Sequence, residues 1–450
     1  MSFREDFSWG AASAAYQVEG AAVEDGRTWS VWDMMCRKPG AIYQNENGDV
    51  ACDHYHRFKE DVALMKQIGL KSYRFSLSWP RILPEGIGKI NFKGIEFYNN
   101  LINELLANGI EPYVTLFHWD FPLKLYRQGG WLNLASPQWF ADYTGVVVEH
   151  FSDRVSNWMT LNEPQCFIGG GIINGHHAPG DKLELSQALL AAHHSLLAHG
   201  RAVRVIREQA KTKPFIGYAP VGVVKVPATE TAADIEAART SMFRMTDESY
   251  WNNTWWMDPV FLGRYPEDGL HIYGEKAPKA TSEELAIIST PLDFCGANIY
   301  NGRETTVGPQ GQPVDAPRYQ GFPMTAMDWP IVPQSLYWGP KFLYERYNMP
   351  VFITENGIAN CDWVSLDGRV HDPQRIDFTH RYLRELRRAA VDGVDVRGYF
   401  HWCLMDNFEW TFGYNRRFGL VHVDFRDQTR TIKDSATWYK TVIESNGKCL

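Results

Sequence analysis

Apolar positions along the chain follow two alternating rhythms. Short runs rich in β-branched and aromatic residues occupy 7–11, 72–78, 112–117, 157–161, 215–219, 292–298, 351–354 and 397–401, and each ends in polar or aromatic residues. Several are almost continuously apolar, the pattern of a parallel strand buried on both faces. Between them, 54–68, 94–108, 136–151, 184–209 and 372–392 carry helical spacing. Gly69, Gly109 and Gly393 follow three of these helices, where a residue free to adopt positive φ ends a helix. Eight strands alternating with helices predict an α/β fold, a (β/α)8 barrel with elaborated βα loops. A doubly wound sheet would need a Gly-x-Gly-x-x-Gly turn after an early strand. The nearest match, Gly169-Gly170-Gly171, follows the fourth strand and makes a weak phosphate cradle. No linker, charge block or low-complexity stretch divides the 450 residues, so 1–450 reads as one domain.

Composition narrows the partners. With 45 basic and 53 acidic residues the formal charge is −8, which argues against nucleic acid or an anionic membrane surface. No apolar run is long enough to span a bilayer. The start, MSFREDFSWG, is charged and lacks the apolar stretch of a signal peptide. The seven cysteines are scattered, with no Cys-x-x-Cys pair, as in a reducing compartment; a cytoplasmic location is expected. Aromatics reach 14%, with 17 Trp. Large rings fill a core, and they also stack on the C–H face of a pyranose; composition leaves the two uses open.

A barrel carries its chemistry at the C-terminal ends of its strands. Those ends here hold Gln17, Arg74, His118-Trp119, Asn162-Glu163, Asn298 with Tyr300, Glu355-Asn356 and Trp402, with Glu409 and Trp410 just beyond. This rim is at once acidic, amide-rich and aromatic, as a neutral polyhydroxylated ligand requires. Two of its carboxylates, Glu163 and Glu355, end the fourth and seventh strands. Glycoside cleavage needs such a pair, an acid for the leaving oxygen and a carboxylate facing the anomeric carbon. Either residue alone could equally be a helix cap or a rim ion pair.

The motifs around them are specific. Thr160-Leu161-Asn162-Glu163-Pro164, Ile353-Thr354-Glu355-Asn356-Gly357 and the stretch from Phe7 to Gly20 stand in order along the chain. Through them the chain resembles glycoside hydrolase family 1 β-glucosidases from Phe7 to about Tyr439. The resemblance implies a TIM barrel and retaining double displacement. Glu355 would be the nucleophile and Glu163 the acid/base, the carboxyl groups about 5–5.5 Å apart. It further implies that Gln17, His118 and Trp410 bind the 3- and 4-hydroxyls, Asn162 the 2-hydroxyl and Glu409 the 4- and 6-hydroxyls. Trp402 would lie beneath the sugar, with Trp119 beside His118. For His118 and Trp402 taken singly, plain core positions are the competing reading. Arg74 and Tyr300 would hold Glu355 ionised. Trp329 would line the aglycone side, although Pro330 and Gln334 depart from the family pattern around it. Cys166 would stand at the entrance, or serve as an inert small apolar residue.

Glu409 bears on the sugar's identity. Family members acting on 6-phosphorylated glycosides replace this acid, since a carboxylate would repel the phosphate, and here Phe418, expected to line the substrate site, stands where a phosphate-binding hydroxyl would be. An unphosphorylated sugar follows, and a 6-phospho-β-glucosidase is the disfavoured alternative. Gln at the acid/base position would mark a myrosinase-type thioglucosidase; Glu163 excludes that. His176-His177 and His193-His194 lack zinc-helix spacing, and no cofactor is expected. The expected activity is hydrolysis of cellobiose, short cello-oligosaccharides and aryl or alkyl β-glucosides, with β-galactosides and β-fucosides as side substrates. A non-catalytic sugar-binding barrel predicts loss of one carboxylate, and both are present. The expected partner is a small carbohydrate, and an oligomer of identical chains remains compatible with the sequence.

Overall fold

The computed structural model describes residues 2–450. Eight strands close a parallel barrel in chain order: β1 (Ser8–Ala12), β2 (Ser72–Ser76), β3 (Glu111–Phe117), β4 (Asn157–Asn162), β5 (Phe215–Ala219), β6 (Phe294–Asn298), β7 (Val351–Asn356) and β8 (Val396–Trp402). Closure is made by β8 against β1, with Ser8 opposite Gly398 and Ala12 opposite Trp402. All eight predicted strands are present, within a few residues of their expected ends.

Aromatic rings fill the lower barrel. Tyr113 of β3 packs across the interior on Phe400 of β8, centroids 4.9 Å apart, and Phe352 of β7 meets Phe294 of β6 at 4.7 Å. Such pairs add about 1 kcal/mol each beyond the area they bury. Helices His54–Ile68, Phe92–Ala107, Ser136–Phe151, Leu185–Gln209 and Pro373–Val391 cover the outside. Gly69, Gly109 and Gly393 follow helices with φ of 83°, 73° and 94°, the left-handed conformation expected of them. No helix among the described residues is long and apolar enough to cross a membrane.

Two small sheets lie outside the barrel. Val224–Pro227, Gly302–Val307 and Pro313–Asp315 form one, built from the segments after β5 and β6. Val421–Asp424 and Thr429–Ile432 form a hairpin after β8. The Gly169-Gly170-Gly171 triplet lies in a wide helical turn, Gln165–Ile173, after β4. A Cβ on Gly169 would come within 1.9 Å of the Tyr250 ring, so this glycine serves close packing.

Candidate active site

Both carboxylates sit where their strands lose regularity. The pairing of β4 with β5 shifts between Met159 and Asn162, and that of β7 with β6 shifts between Ile353 and Glu355. Such irregularities re-aim side chains at barrel rims. Glu163 itself has φ 47°, and Trp119, Asp328 and Trp410 also take positive φ at the same mouth. Non-glycine residues held there cost of order 1–3 kcal/mol each, and such strain clusters at functional sites. Gly357 permits another close approach: a Cβ on it would lie 1.9 Å from the carbonyl oxygen of Trp402. The segment after Glu355 can therefore pass against the end of β8.

Glu355 is held by fixed donors. Arg74 Nη1 donates to its Oε1 at 2.6 Å and Tyr300 Oη to its Oε2 at 2.6 Å. The rest of the Arg74 fork is committed to Thr115 Oγ1, Thr354 O and Asn162 Oδ1. Burial raises the carboxyl's pKa, and Arg74 and Tyr300 act against that rise. Glu163 has no such cation bonded to it. Burial and the neighbouring Glu355 push its pKa up to about 8, opposed by Asn298 and by the Cys166 thiol. The two acids thus occupy environments that separate their protonation states.

A network of amides links them. Asn298 Nδ2 donates to Glu163 Oε1 at 2.9 Å and to Asn162 Oδ1 at 3.0 Å, and Asn162 Oδ1 accepts in turn from Arg74, the donor to Glu355. Because Asn162 Oδ1 accepts from both Arg74 and Asn298, its Nδ2 is left to donate to His118 Nε2 at 3.1 Å. That assignment places the His118 proton on Nδ1, which has no partner among the described residues. Burial and Arg74 keep the ring neutral. Gln17 is fixed through Nε2 to Phe408 O and Glu409 Oε2, and its Oε1 is likewise unpartnered. Two buried polar atoms without partners in one pocket are groups a sugar hydroxyl would satisfy.

The walls are aromatic. The planes of His118 and Trp402 meet at 22°, and the Trp119 and Trp410 ring centroids are 4.5 Å apart. Trp329 packs on Tyr300 with centroids 5.1 Å apart. Glu163, Glu355, His118, Trp119, Cys166, Tyr300, Trp329, Trp402, Glu409 and Trp410 all line one cleft of about 660 Å³, within the range of small-molecule sites. Gln17, Arg74 and Asn162 are buried directly behind this lining. Phe418 is not at the surface of the cleft. It is buried behind Trp329 and Tyr300, 6.2 and 6.1 Å from their rings, and so backs the wall instead of meeting a ligand.

Glu409 differs from expectation in charge. Burial and Glu355 push it up to about 8, opposed by Gln17 and the Trp402 indole. A carboxyl largely protonated near neutral pH repels a phosphate less than a carboxylate would. The stronger obstacle is the lack of a cation bonded to it: Arg417, on the same segment, is spent on Asp406 and Val423 O.

The segment carrying Glu409 is anchored by buried charges. Asp406 accepts from Lys433 Nζ at 2.7 Å, Arg417 Nη1 at 2.8 Å and the Gly419 amide at 2.9 Å. Lys433 also reaches Asp362, and Arg375 joins Asp362 to Asp372. Burial would raise the Asp406 pKa, but Lys433, Arg417 and Arg375 outweigh it and hold the carboxyl below its usual range. The segments following β7 and β8 are locked together at this point.

Asn298 and this ion network were not among the expected site residues. Asn298 was visible as a polar strand end; the network joins positions too far apart in sequence to be paired by spacing.

A closed (β/α)8 barrel whose mouth pairs two buried carboxyl groups between aromatic walls has the architecture of a glycoside-cleaving enzyme. The chain belongs to glycosyl hydrolase family 1, whose model matches residues 1–448. It is 44% identical to beta-glucosidase A of Thermotoga maritima over 99% of this chain and 98% of that protein. It is also 44% identical to beta-glucosidase A of Acetivibrio thermocellus over 99% of both. The solved Thermotoga maritima β-glucosidase, in complexes with glucoimidazole and with galacto-hydroximolactam, superposes with a TM-score of 0.90 over 99% of each chain, at 44% identity.

Proposed function

We propose that this chain is a retaining β-glucosidase in which Glu355 attacks the anomeric carbon and Glu163 protonates the departing alcohol. The unequal surroundings of the two acids carry the reading. Arg74 and Tyr300 bind the charged form of Glu355, while Glu163 faces another carboxyl and rises to about 8. In the second half-reaction Glu163, now ionised, takes a proton from the water that releases the sugar. Retention is the outcome expected of a family 1 enzyme, and it requires carboxyl groups about 5–5.5 Å apart, against roughly 6.5–9.5 Å in inverting pairs.

Gln17, His118, Asn162, Glu409 and Trp410 would hold the sugar hydroxyls above Trp402. Trp119, whose indole donates to the backbone carbonyl of Asn162 at 3.0 Å, braces the main chain there. The leaving group would pass Trp329 and Cys166. Glucosides of cellobiose type, short cello-oligosaccharides and aryl glucosides fit this cleft. Galactosides are expected as side substrates, since Glu409 and Gln17 can serve either orientation of the 4-hydroxyl. One panel tests this: kcat/KM for 4-nitrophenyl β-glucoside, β-galactoside and β-glucoside 6-phosphate. The unphosphorylated glucoside should be fastest; faster hydrolysis of the 6-phosphate would refute the assignment.

A further inference from the structure

The cleft is polarised along its depth. Its floor carries Glu163, Glu355 and Glu409, whereas the outer sheet contributes cations to the same lining. Lys225 and Arg303 are register partners on adjacent strands of that sheet. Both turn to one carboxylate, Lys225 Nζ to Asp315 Oδ1 at 2.8 Å and Arg303 Nε to Asp315 Oδ2 at 2.9 Å. Arg318 is a third cation at the rim. It donates to Gly302 O at 3.3 Å and lies 5.4 Å from the Phe322 ring, with no ion pair among the described residues. Burial and then the neighbouring Arg303 lower its pKa, and Glu304 and Asp315 act the other way. Lys225, Arg303 and Arg318 against Asp315 and Glu304 leave the rim with a net positive charge on a protein whose total charge is −8. Beside them stands an aromatic surface. Trp251 is 48% exposed, and Tyr250 and Trp329 line the same cleft.

Resting on the β-glucosidase reading above, we propose that the outer cleft is a binding site for aromatic leaving groups that carry a carboxylate. The ring lies against Trp329, Trp251 and Tyr250, and Arg318 and Arg303 take the anion. Both guanidiniums keep N–H groups free of carboxylate partners, so they can bind the anion without losing an existing ion pair. Of the acids on the floor, Glu355 is the one held ionised, by Arg74 and Tyr300, and it disfavours the same anion in the sugar subsite.

The test compares two aryl β-glucosides, those of 3-(4-hydroxyphenyl)propanoate and of its primary amide. The saturated linker insulates the phenolic oxygen from the carboxylate, so leaving-group quality is matched and only the charge differs. The wild-type ratio of kcat/KM, carboxylate over amide, should be roughly two- to fivefold, the scale of a partly exposed ion pair. It should decline as salt is raised and fall to about one in the Arg303→Gln/Arg318→Gln double variant. Because the ratio is internal to each preparation, a general loss of folded enzyme cancels. A wild-type ratio at or below one, or a ratio unchanged in the double variant, would overturn the site. Failure to hydrolyse even the amide would instead overturn the β-glucosidase reading.

Discussion

Removing one hydroxyl from the partners of Glu355 should move the acid limb of the pH profile. Tyr300 donates to Glu355 Oε2 at 2.6 Å, and burial and the adjacent carboxylate keep its phenol protonated and therefore a donor. The bond favours the ionised form of Glu355, so it lowers that group's pKa; Tyr300→Phe must raise it. A hydrogen bond to a buried charged group contributes about 1.5–3 kcal/mol. At about 1.36 kcal/mol per pKa unit, that is a rise of about 1–2 units. The attacking form would then be lost at higher pH than in the wild type. The assay is kcat/KM for 4-nitrophenyl β-glucoside against pH, which reports the free enzyme's ionisations. The ascending limb should shift upward by about that amount, while the descending limb, assigned to Glu163 near 8, shifts less. A variant slower at every pH with an unmoved ascending limb would refute this role for Tyr300.

Three further outcomes follow from the same geometry. Glu163→Ala should slow glucosides with poor leaving groups far more than activated aryl glucosides, because only the former need the proton; equal losses would contradict the acid role. Glu409→Ser removes the carboxyl proposed to hold two sugar hydroxyls and should cost roughly a hundredfold in kcat/KM for the glucoside, as two hydrogen bonds of about 1.5 kcal/mol each would. The 6-phosphate substrate should lose less, and both rates come from one colorimetric panel. Lys433→Met takes a buried cation from both Asp362 and Asp406, which keep Arg375 and Arg417, so the about 3–5 kcal/mol of a fully broken buried pair is an upper bound on the loss. Its Tm should fall clearly below that of Lys440→Met, whose exposed pair with Glu444 is worth about 0–1 kcal/mol; equal Tm values by calorimetry would show that the network is not stabilising.

Much of this molecule was legible before its coordinates because barrel strands and helices announce themselves locally. The helices at 54–68 and 136–151 start and stop as read, since apolar period, and in the first a closing Gly69, are properties of adjacent residues. Strand ends were less accurate: β4 runs on to Asn162 and β7 to Asn356, because polar residues there are buried by the site and not by an apolar core. The rim residues could be named from strand ends and family motifs, but not their connections. That Asn298 links Asn162 to Glu163 depends on β6 lying two places from β4 around the ring. Phe418 stands in the sequence where a phosphate-binding hydroxyl is expected, yet only packing puts it behind Trp329. The raised pKa of Glu409 arises from burial and then from Glu355, 54 positions earlier in the chain. The outer sheet with Lys225, Arg303 and Asp315 left no periodic signal, being made of short strands within long loops.

The division of labour between the two glutamates is tested most directly by trapping the covalent intermediate. A 2-deoxy-2-fluoro-β-glucoside with an activated leaving group slows both steps, but deglycosylation more, and the enzyme should accumulate one sugar per chain. Peptide mapping of the labelled protein should then place the adduct on Glu355. An adduct on Glu163 or Glu409, or turnover of a slow substrate by inversion with no adduct, would contradict the account.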